Sequence, residues 1–314
     1  MGSFIFNRLL ALLPMLLAVS FLVFLMIYLV PGDPVVTMLG PEATEDQAEI
    51  LRRQLGLDRP FQERLASWYA DAVRGDLGES YFLNQPVTTA IASRLPVTLS
   101  LTIFALFVSV VIGTTAGVIA SLRQGRFADW GIMFLAILGL SIPVFWLALN
   151  LMFIFSVRLG WLPTTGYVPL REDPVEYVRH LLLPGLTLGA ANTAVIARMT
   201  RSSMLEVLRQ DFVRTAEAKG LSRHIVVLRH AFRNALLPIV TVIGLSVGEL
   251  LAGSVITETV FNLPGIGRLI VDAIRRRDYP TVQGGILFVT VIYLVVNLAV
   301  DLLYAWINPR IRYR

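Results

Sequence analysis

Long apolar blocks alternate with short polar segments along this chain, and the blocks have the length of membrane-crossing helices. A helix needs about 20 consecutive apolar residues to cross the hydrocarbon core of a bilayer. The blocks lie at 9–30, 97–120, 131–157, 181–197, 236–256 and 284–306. The pattern therefore predicts an all-α polytopic membrane protein with six transmembrane helices.

The polar segments divide the chain into three predicted parts. These are an N-terminal transmembrane helix at 1–30, an external segment at 31–96, and a core domain with five transmembrane helices at 97–314. In the external segment, Thr44 and Gln47 have the spacing of a capping box, Gly56 can stop a helix and Pro60 can begin another. We expect two short amphipathic helices there. They either cover the outer membrane surface or contact a protein that delivers substrate.

Composition and charge support a membrane location and set an orientation. The chain is 55% hydrophobic and 16% charged, against about 45–50% apolar for a soluble domain. The net charge is +5 and there is no cysteine, which excludes disulfides and cysteine-based metal or redox sites. Basic residues flank apolar spans rather than forming a nucleic-acid surface. Their distribution predicts cytoplasmic N- and C-termini, with Arg275, Arg276 and Arg277 as an exception on the outside.

Motifs for catalysis are weak in this sequence. No G-x-x-x-x-G-K-[ST] loop is present, so the chain does not hydrolyse ATP by itself. The run Gly244-Leu-Ser246-Val-Gly248 matches G-x-S-x-G. It lies inside an apolar span instead of a strand–turn–helix elbow, which argues against an intramembrane serine hydrolase, the further alternative function. His180, His224 and His230 are not accompanied by an acidic metal-binding cluster, so no metal site is expected.

Polar residues inside the spans are candidates for a transport pathway. A charged side chain within a membrane is costly, so it marks a functional site by default. Glu249 lies near the middle of the fifth span, and Asp301 near the inner end of the sixth. Glu249, Asn150, Asn192 and Ser246 are the candidates for lining the pathway. The alternative for Glu249 is an interhelical hydrogen bond or a protonated buried acid, and the alternative for Asn150 and Asn192 is a hydrogen bond between helices. Asp301 is better explained as a structural anchor near the interface.

Glycine pairs spaced four residues apart predict close helix packing. They occur at Gly113/Gly117, Gly185/Gly189 and Gly244/Gly248. Small residues at this spacing let helix backbones approach each other.

The basic segment at 214–233 is the most informative part of the sequence. It separates two apolar spans and carries too many arginines to lie in hydrocarbon. Apolar residues are interleaved with the charges, and Gly220 can provide a bend. The pattern predicts two short helices with an elbow at the membrane surface, presenting a face to another molecule.

An ordered set of motifs resembles one transporter family. The motifs are Pro31-Gly-Asp-Pro34, Gly75-Asp-Leu-Gly78, Gly160-Trp-Leu-Pro163, Arg214-Thr-Ala216 with Ala218-Lys-Gly220, Arg229-His230-Ala231 with Asn234-Ala235, Glu258-Thr-Val-Phe261, Pro264-Gly-Ile-Gly267-Arg268, Arg277-Asp-Tyr-Pro280, and Asp301-Leu-Leu-Tyr304 leading to Asn308-Pro-Arg-Ile-Arg-Tyr313. Together they resemble the B-type permease of the dipeptide/oligopeptide/nickel ABC importer family. The segment at 205–234 resembles its EAA coupling loop, with Arg214 in place of the glutamate and Arg233 where many relatives carry proline.

The resemblance implies a type I ABC importer permease fold and a non-catalytic subunit. Its expected partners are a homologous second permease, two ATPase subunits, an extracytoplasmic binding protein, membrane lipid and a peptide substrate. No cofactor is expected in this chain, because ATP and magnesium would be bound by the ATPase subunits. The residues that the resemblance assigns to ATPase coupling are Arg214, Ala216, Glu217, Lys219, Gly220, Leu221, Ser222 and Arg223. A gradient-driven carrier or channel is the alternative function.

Overall fold

A computed structural model describes residues 2–29, 34–40 and 44–307 of the chain. Its regular elements are helices. They are α1 (Gly2–Leu29), α2 (Pro34–Leu39), α3 (Glu45–Gln54), α4 (Phe61–Val73), α5 (Val87–Leu122), α6 (Phe127–Ser141), α7 (Val144–Leu151), α8 (Pro174–Leu208), α9 (Asp211–Ala218), α10 (Arg223–Ile225), α11 (Arg233–Val260), α12 (Ile266–Arg276) and α13 (Tyr279–Ile307). Two π-helical stretches, Met152–Arg158 and Val226–Phe232, follow α7 and α10.

Four helices in the described part of the chain are long and apolar enough to cross a membrane. They are α5, α8, the continuous helix Arg223–Val260, and α13 over Tyr279–Val300. These coincide with the predicted spans at 97–120, 181–197, 236–256 and 284–306. The first predicted span falls on α1, in which the described stretch Leu12–Leu25 is apolar, and residue 30 lies outside the described residues. The predicted all-α polytopic membrane fold is confirmed.

The predicted span at 131–157 is not one continuous helix. The helices Phe127–Ser141 and Val144–Arg158 form an apolar pair that is bent by 109°. Pro143 stands immediately before α7, as its N-cap. Proline lacks a backbone N–H and its ring clashes with the preceding turn, so a helix ends before it more easily than it passes through. The expectation that this span would continue through Pro143 is wrong, whereas α8 does continue through Pro184.

The chain forms two compact units. The first combines the described residues up to Pro96 with Pro264–Val295, and the second combines Val97–Leu263 with the described residues from Val296 onward. These units are discontinuous in sequence. The division of the chain into parts at 1–30, 31–96 and 97–314 stays a prediction.

In the second unit, α8 is the helix against which the others pack. Its buried residues Leu181, Leu183 and Leu188 join a core cluster with Leu101 of α5 and Leu250 of α11. Burial of a leucine side chain typically contributes about 1.5–3 kcal/mol relative to full exposure. This cluster therefore fixes α5, α8 and α11 as a packed group.

Three glycines of the predicted pairs lie at close contacts between α5 and α8 in this unit. A Cβ atom added at Gly117 would come within 2.6 Å of the Ala197 carbonyl oxygen, and one at Gly113 within 2.8 Å of the Thr193 carbonyl oxygen. At Gly189 the added atom would lie 2.6 Å from Ser109 Oγ. Ser109 Oγ also donates a hydrogen bond to the Gly189 carbonyl oxygen at 2.9 Å. The absence of side chains at these glycines lets α5 and α8 meet backbone to backbone.

In the first unit, the short helices of the segment at 31–96 follow their sequence signals. Thr44 Oγ1 accepts a hydrogen bond from the Gln47 amide, and Gln47 Oε1 accepts one from the Thr44 amide, so the predicted capping box is confirmed. Gly56 has φ of +64°, as expected for the residue after a helix end. Pro60 precedes α4 as its N-cap. The segment also contains α2, which the sequence did not indicate.

Helix α4 packs against α1 through aromatic side chains. The rings of Phe24 and Trp68 lie 5.7 Å apart, and those of Phe24 and Phe61 lie 5.5 Å apart. The hydroxyl groups of Ser20 and Tyr69 are 2.9 Å apart and share a hydrogen bond. The predicted apolar face of α4 is therefore the face that covers α1.

Asp278 is the buried centre of a second contact group in the first unit. It is 2% exposed. Its carboxylate accepts hydrogen bonds from Ser80 Oγ at 2.5 Å, from Thr281 Oγ1 at 2.8 Å and from the Tyr81 amide at 3.2 Å. The network joins the segment before α5 to the start of α13, because Ser80 and Tyr81 come from the first and Thr281 from the second.

Candidate functional site

The segment at 205–234, which is the candidate for coupling to an ATPase, contains a helix end of well-defined geometry. Helix α9 stops at Ala218, and Gly220 has φ of +77°. The Gly220 amide donates to the Glu217 carbonyl at 2.9 Å, and the Leu221 amide donates to the Ala216 carbonyl at 3.4 Å. These two bonds form the Schellman pattern, which requires a left-handed residue that glycine adopts without a Cβ penalty. The predicted bend at Gly220 is confirmed.

A small apolar cluster packs against the buried side of α9. Val213, Ala216 and Val226 are buried together, and Leu208 at the end of α8 packs against them. Ala216 is 6% exposed. It therefore packs within the segment itself instead of facing outward. The cluster holds α9 against the π-helical stretch Val226–Phe232, so the bend at Gly220 has a fixed geometry.

The opposite surface of this segment is exposed and mixes apolar with charged side chains. Leu221 is 39% exposed and Ile225 is 40% exposed. The other predicted coupling residues that are exposed are Arg214, Glu217, Lys219, Gly220, Ser222 and Arg223. Arg214 lies 3.7 Å from Asp211 in an ion pair on the surface. Seven of the eight predicted residues are thus exposed, and Ala216 is the one that is buried.

The second helix of the segment is longer than the sequence suggested. Residues Arg223–Val260 form one continuous helix, and its stretch Val226–Phe232 is π-helical. The prediction of two short helices is therefore correct for α9 and wrong for the second helix. Because α10, the π-helical stretch and α11 form one continuous helix, a displacement at Arg223 would be transmitted along that helix into its membrane-spanning part.

The four predicted pathway residues do not share one surface of this chain. Ser246 is 2% exposed and donates its hydroxyl to the Val242 carbonyl at 2.9 Å. Asn150 donates Nδ2 to the Trp146 carbonyl at 2.7 Å, within its own helix. Asn192 is buried, and its Oδ1 accepts no hydrogen bond from the described residues. Glu249 alone of the four is exposed. The side chain of Asp301 lies outside the described part of the chain.

Sequence reasoning missed two buried polar contacts in the second unit. Glu258 is fully buried and accepts a hydrogen bond from Thr98 Oγ1 at 2.7 Å. Glu258 lies beyond the predicted end of the fifth span, whereas α11 continues to Val260. Asp129 is held by Arg201. The motif beginning at Glu258 was a possible signal, but nothing in it indicated Thr98 as its partner.

Comparison with known families decides the classification. Residues 113–313 match the family described as binding-protein-dependent transport system inner membrane component. The chain belongs to this family. Residues 1–102 match the family described as the N-terminal part of the same kind of membrane component.

Several curated relatives of this inner membrane component match along its full length. A dipeptide transport system permease protein of Alkalihalophilus pseudofirmus is 43% identical over 334 residues, covering 100% of both chains. A glutathione transport system permease protein of Escherichia coli O6:H1 is 47% identical over 314 residues, again covering 100% of both. A putative peptide transport system permease protein of Brucella abortus is 44% identical over 313 residues, with the same full coverage.

Solved structures show that this inner membrane component has the fold of ABC importer permeases. A chain of an inward-facing MetNI methionine ABC transporter aligns with a TM-score of 0.57 and 19% identity, covering 69% of this chain and 96% of that one. A chain of an amino acid ABC transporter aligns with a TM-score of 0.51 and 16% identity, covering 71% and 95%. The expected permease fold is confirmed.

Proposed function

We propose that this chain is one of two permease subunits of an ATP-driven importer for peptides. It forms half of a translocation pathway, and its segment at 205–234 docks on an ATPase subunit. The second subunit is a homologous permease that makes a heterodimer with it, and an extracytoplasmic binding protein delivers the substrate. ATP and magnesium bind to the ATPase subunits. The chain itself makes and breaks no covalent bond.

The proposal rests on the exposed surface around Gly220, which a buried apolar cluster supports from the other side of α9. A face that transmits force needs a rigid backing, and the cluster of Val213, Ala216 and Val226 supplies one. Such a face must also bind the ATPase subunit tightly enough to stay attached to it. Exposed ion pairs contribute only about 0–1 kcal/mol each, whereas a buried apolar anchor typically contributes above about 1 kcal/mol. Leu221 and Ile225 are exposed in the isolated chain, so docking would bury both.

The pathway half of the proposal is supported by Glu249. Its carboxylate is exposed on α11, near the middle of an apolar helix. Lipid would make such an exposed carboxylate costly by about 2.5–3.5 kcal/mol or more. This surface is therefore better suited to a water-filled pathway or to the second permease than to lipid. Alternating access would expose it to one side of the membrane at a time.

The cargo class rests on the named relatives. They are named for dipeptide, peptide and glutathione transport, and glutathione is itself a small peptide. We therefore infer a small or medium-length peptide as the substrate. Much of the choice among peptides would rest with the external binding protein.

Uptake by reconstituted complexes tests the proposal against its rival, a gradient-driven carrier or channel. Liposomes would contain the chain, its second permease and the ATPase subunits, with loaded binding protein outside. We expect labelled peptide to accumulate only when ATP is supplied on the ATPase side. Uptake that follows an ion gradient in liposomes lacking the ATPase subunits would support the rival instead.

The orientation is also proposed, with both termini and the segment at 205–234 in the cytoplasm. The basic residues of this segment support it. The chain has no native cysteine, so a single Ser222→Cys substitution at an exposed position is easy to interpret. An impermeant thiol reagent should label it in inverted vesicles and leave it unlabelled in intact cells. Labelling from outside intact cells would reject the orientation.

A further inference from the structure

A cavity of about 220 Å³ lies within the first compact unit. Its walls include Trp68 of α4, Tyr81 before α5 and Gln283 of α13. A single water needs only about 10–15 Å³ of such volume. The cavity is therefore large enough for a small molecule or the charged end of a larger one.

Two of the residues that line this cavity carry a buried hydrogen-bond donor that has no partner among the described residues. The donors are Nε1 of Trp68 and Nε2 of Gln283, and both atoms are buried. Gln283 is 5% exposed. A buried donor that makes no hydrogen bond typically costs about 1–3 kcal/mol. The indole nitrogen can only donate, so a ligand that satisfies it must offer a hydrogen-bond acceptor.

A third donor in the wall stays protonated. Burial raises the pKa of Tyr81 to about 12; the charge of Arg64 opposes this shift, and Asp278 adds a smaller raising contribution. The raised pKa favours the neutral phenol at physiological pH, so its O–H remains available as a donor. It thereby adds to the donors contributed by Trp68 and Gln283.

The charges around the cavity favour an anion over a cation. Its two acidic residues already have partners: Asp76 Oδ1 accepts from the Gly78 amide at 2.8 Å, and Asp71 lies 3.9 Å from Arg74. Arg59 lines the same cavity and is exposed. It forms no ion pair with any described residue. A guanidinium group with free N–H donors binds carboxylate and phosphate well.

We propose that this cavity binds the oxyanion group of a small ligand, a carboxylate or a phosphate, through Arg59, Trp68 and Gln283. The guanidinium of Arg59 would supply the charge, and the two buried N–H groups would supply directed hydrogen bonds. A soluble carboxylate and a phospholipid headgroup share this chemistry. The residues of this site include neither Glu249 nor any residue of the segment at 205–234, so the proposal does not depend on the proposed coupling role.

The indole signal of Trp68 provides a direct test. The full-length chain would be labelled with ¹⁵N-tryptophan in neutral detergent, and its five tryptophan indole signals would be recorded. Trp68→Phe assigns the Trp68 signal, because it removes the N–H and keeps a ring against Phe24. Acetate and inorganic phosphate would be titrated as soluble sources. Phosphatidylglycerol in nanodiscs, compared with phosphatidylcholine alone, would serve as the lipid source.

We expect the Trp68 signal to move in a saturable way with acetate or phosphate, or with phosphatidylglycerol, which identifies the source. In Arg59→Gln the apparent affinity should fall about tenfold, the size expected for a charge-assisted contact. Arg171→Gln, at another exposed arginine outside the cavity, should titrate like the wild type. The proposal is overturned if the signal moves with none of the three sources, or if Arg59→Gln and Arg171→Gln behave alike.

Discussion

Arg201 holds Asp129 through two parallel hydrogen bonds, from Nε to Oδ1 at 2.6 Å and from Nη2 to Oδ2 at 2.8 Å. Asp129 is 4% exposed, in the first turn of α6. The Gly125 amide donates to the same carboxylate at 3.0 Å. The planar fork of arginine matches both carboxylate oxygens, so the pair fixes the beginning of α6 against α8.

Removing Arg201 should destabilise the chain more than removing a nearby arginine. Arg201→Met leaves the buried Asp129 carboxylate without its partner. We expect a loss of about 2–3 kcal/mol, less than for a fully buried pair because the Arg201 side chain is 27% exposed. Arg198→Met, at an exposed position on the same helix, should change stability little. Thermal unfolding in detergent gives both values.

A double substitution separates the ion pair from simple packing. Asp129→Leu combined with Arg201→Met removes both charges and should recover part of the lost stability. If the double variant is as unstable as the sum of the two single variants, the contribution of the pair is not electrostatic.

Gly117 and Gly131 should respond in opposite directions to the same substitution. A Cβ at Gly117 would lie 2.5 Å from Thr200 Cβ, whereas a Cβ at Gly131 would have no atom within 4 Å. Gly117→Ala should therefore cost about 1–3 kcal/mol by overpacking. Gly131→Ala should be neutral or stabilise by up to about 1 kcal/mol, through helix propensity. Equal unfolding temperatures for the two variants would contradict the close α5–α8 contact.

The coupling segment should lose function at Gly220 and Leu221 before it does so at its charged residues. Gly220→Val forces a branched residue into φ of +77°, at a cost of at least about 1–2 kcal/mol. Leu221→Asp replaces the exposed apolar anchor by a charge. Both should strongly reduce ATPase stimulation by loaded binding protein, whereas Glu217→Ala and Lys219→Ala should reduce it mildly.

A matched glycine separates uncoupling from general strain. Gly40 has φ of +82° and, like Gly220, has no atom within 4 Å of an added Cβ. Gly40→Val should therefore carry similar backbone strain without uncoupling ATP hydrolysis from transport. Permease abundance must be checked in parallel. Full ATPase stimulation and full peptide uptake in both Gly220→Val and Leu221→Asp would show that this segment does not couple ATP hydrolysis to transport.

Glu249 should affect transport without affecting assembly. Glu249→Gln keeps the shape and removes the charge, so we expect altered uptake kinetics with normal recovery of the complex. Glu249→Leu removes the polar group as well. If Glu249 acts only as a structural hydrogen-bonding residue, Gln should be nearly silent and Leu should lower the yield of folded complex. Unchanged uptake in both variants would remove Glu249 from the pathway.

Local features of this fold could be predicted from sequence because their signals are local. The capping box at Thr44, the helix stop at Gly56 and the bend at Gly220 each depend on a few adjacent residues. Apolar length located four spans correctly for the same reason. It could not reveal the 109° bend at Pro143, because hydropathy measures the length of an apolar run and carries no information about its direction.

The buried polar contacts could not be predicted, because their partners are far apart in sequence. Thr98 and Glu258 are separated by 160 positions, and Asp129 and Arg201 by 72. No periodicity connects such pairs. The same holds for the candidate pathway residues. The sequence predicted how deep each lies in its span, but its exposure depended on how the helices pack against one another.

The Asp278 network implies a fixed order of events during synthesis. Ser80 and Asp278 are 198 positions apart, and the buried core of Val87, Ala90 and Ile91 is completed by Ile266 and Leu269. A ribosome adds about 5–20 residues per second, so roughly ten to forty seconds separate the two halves of this core. During that interval the start of α5 has been made without the residues that later cover it. A segment made early is thus among the last to reach its final packing.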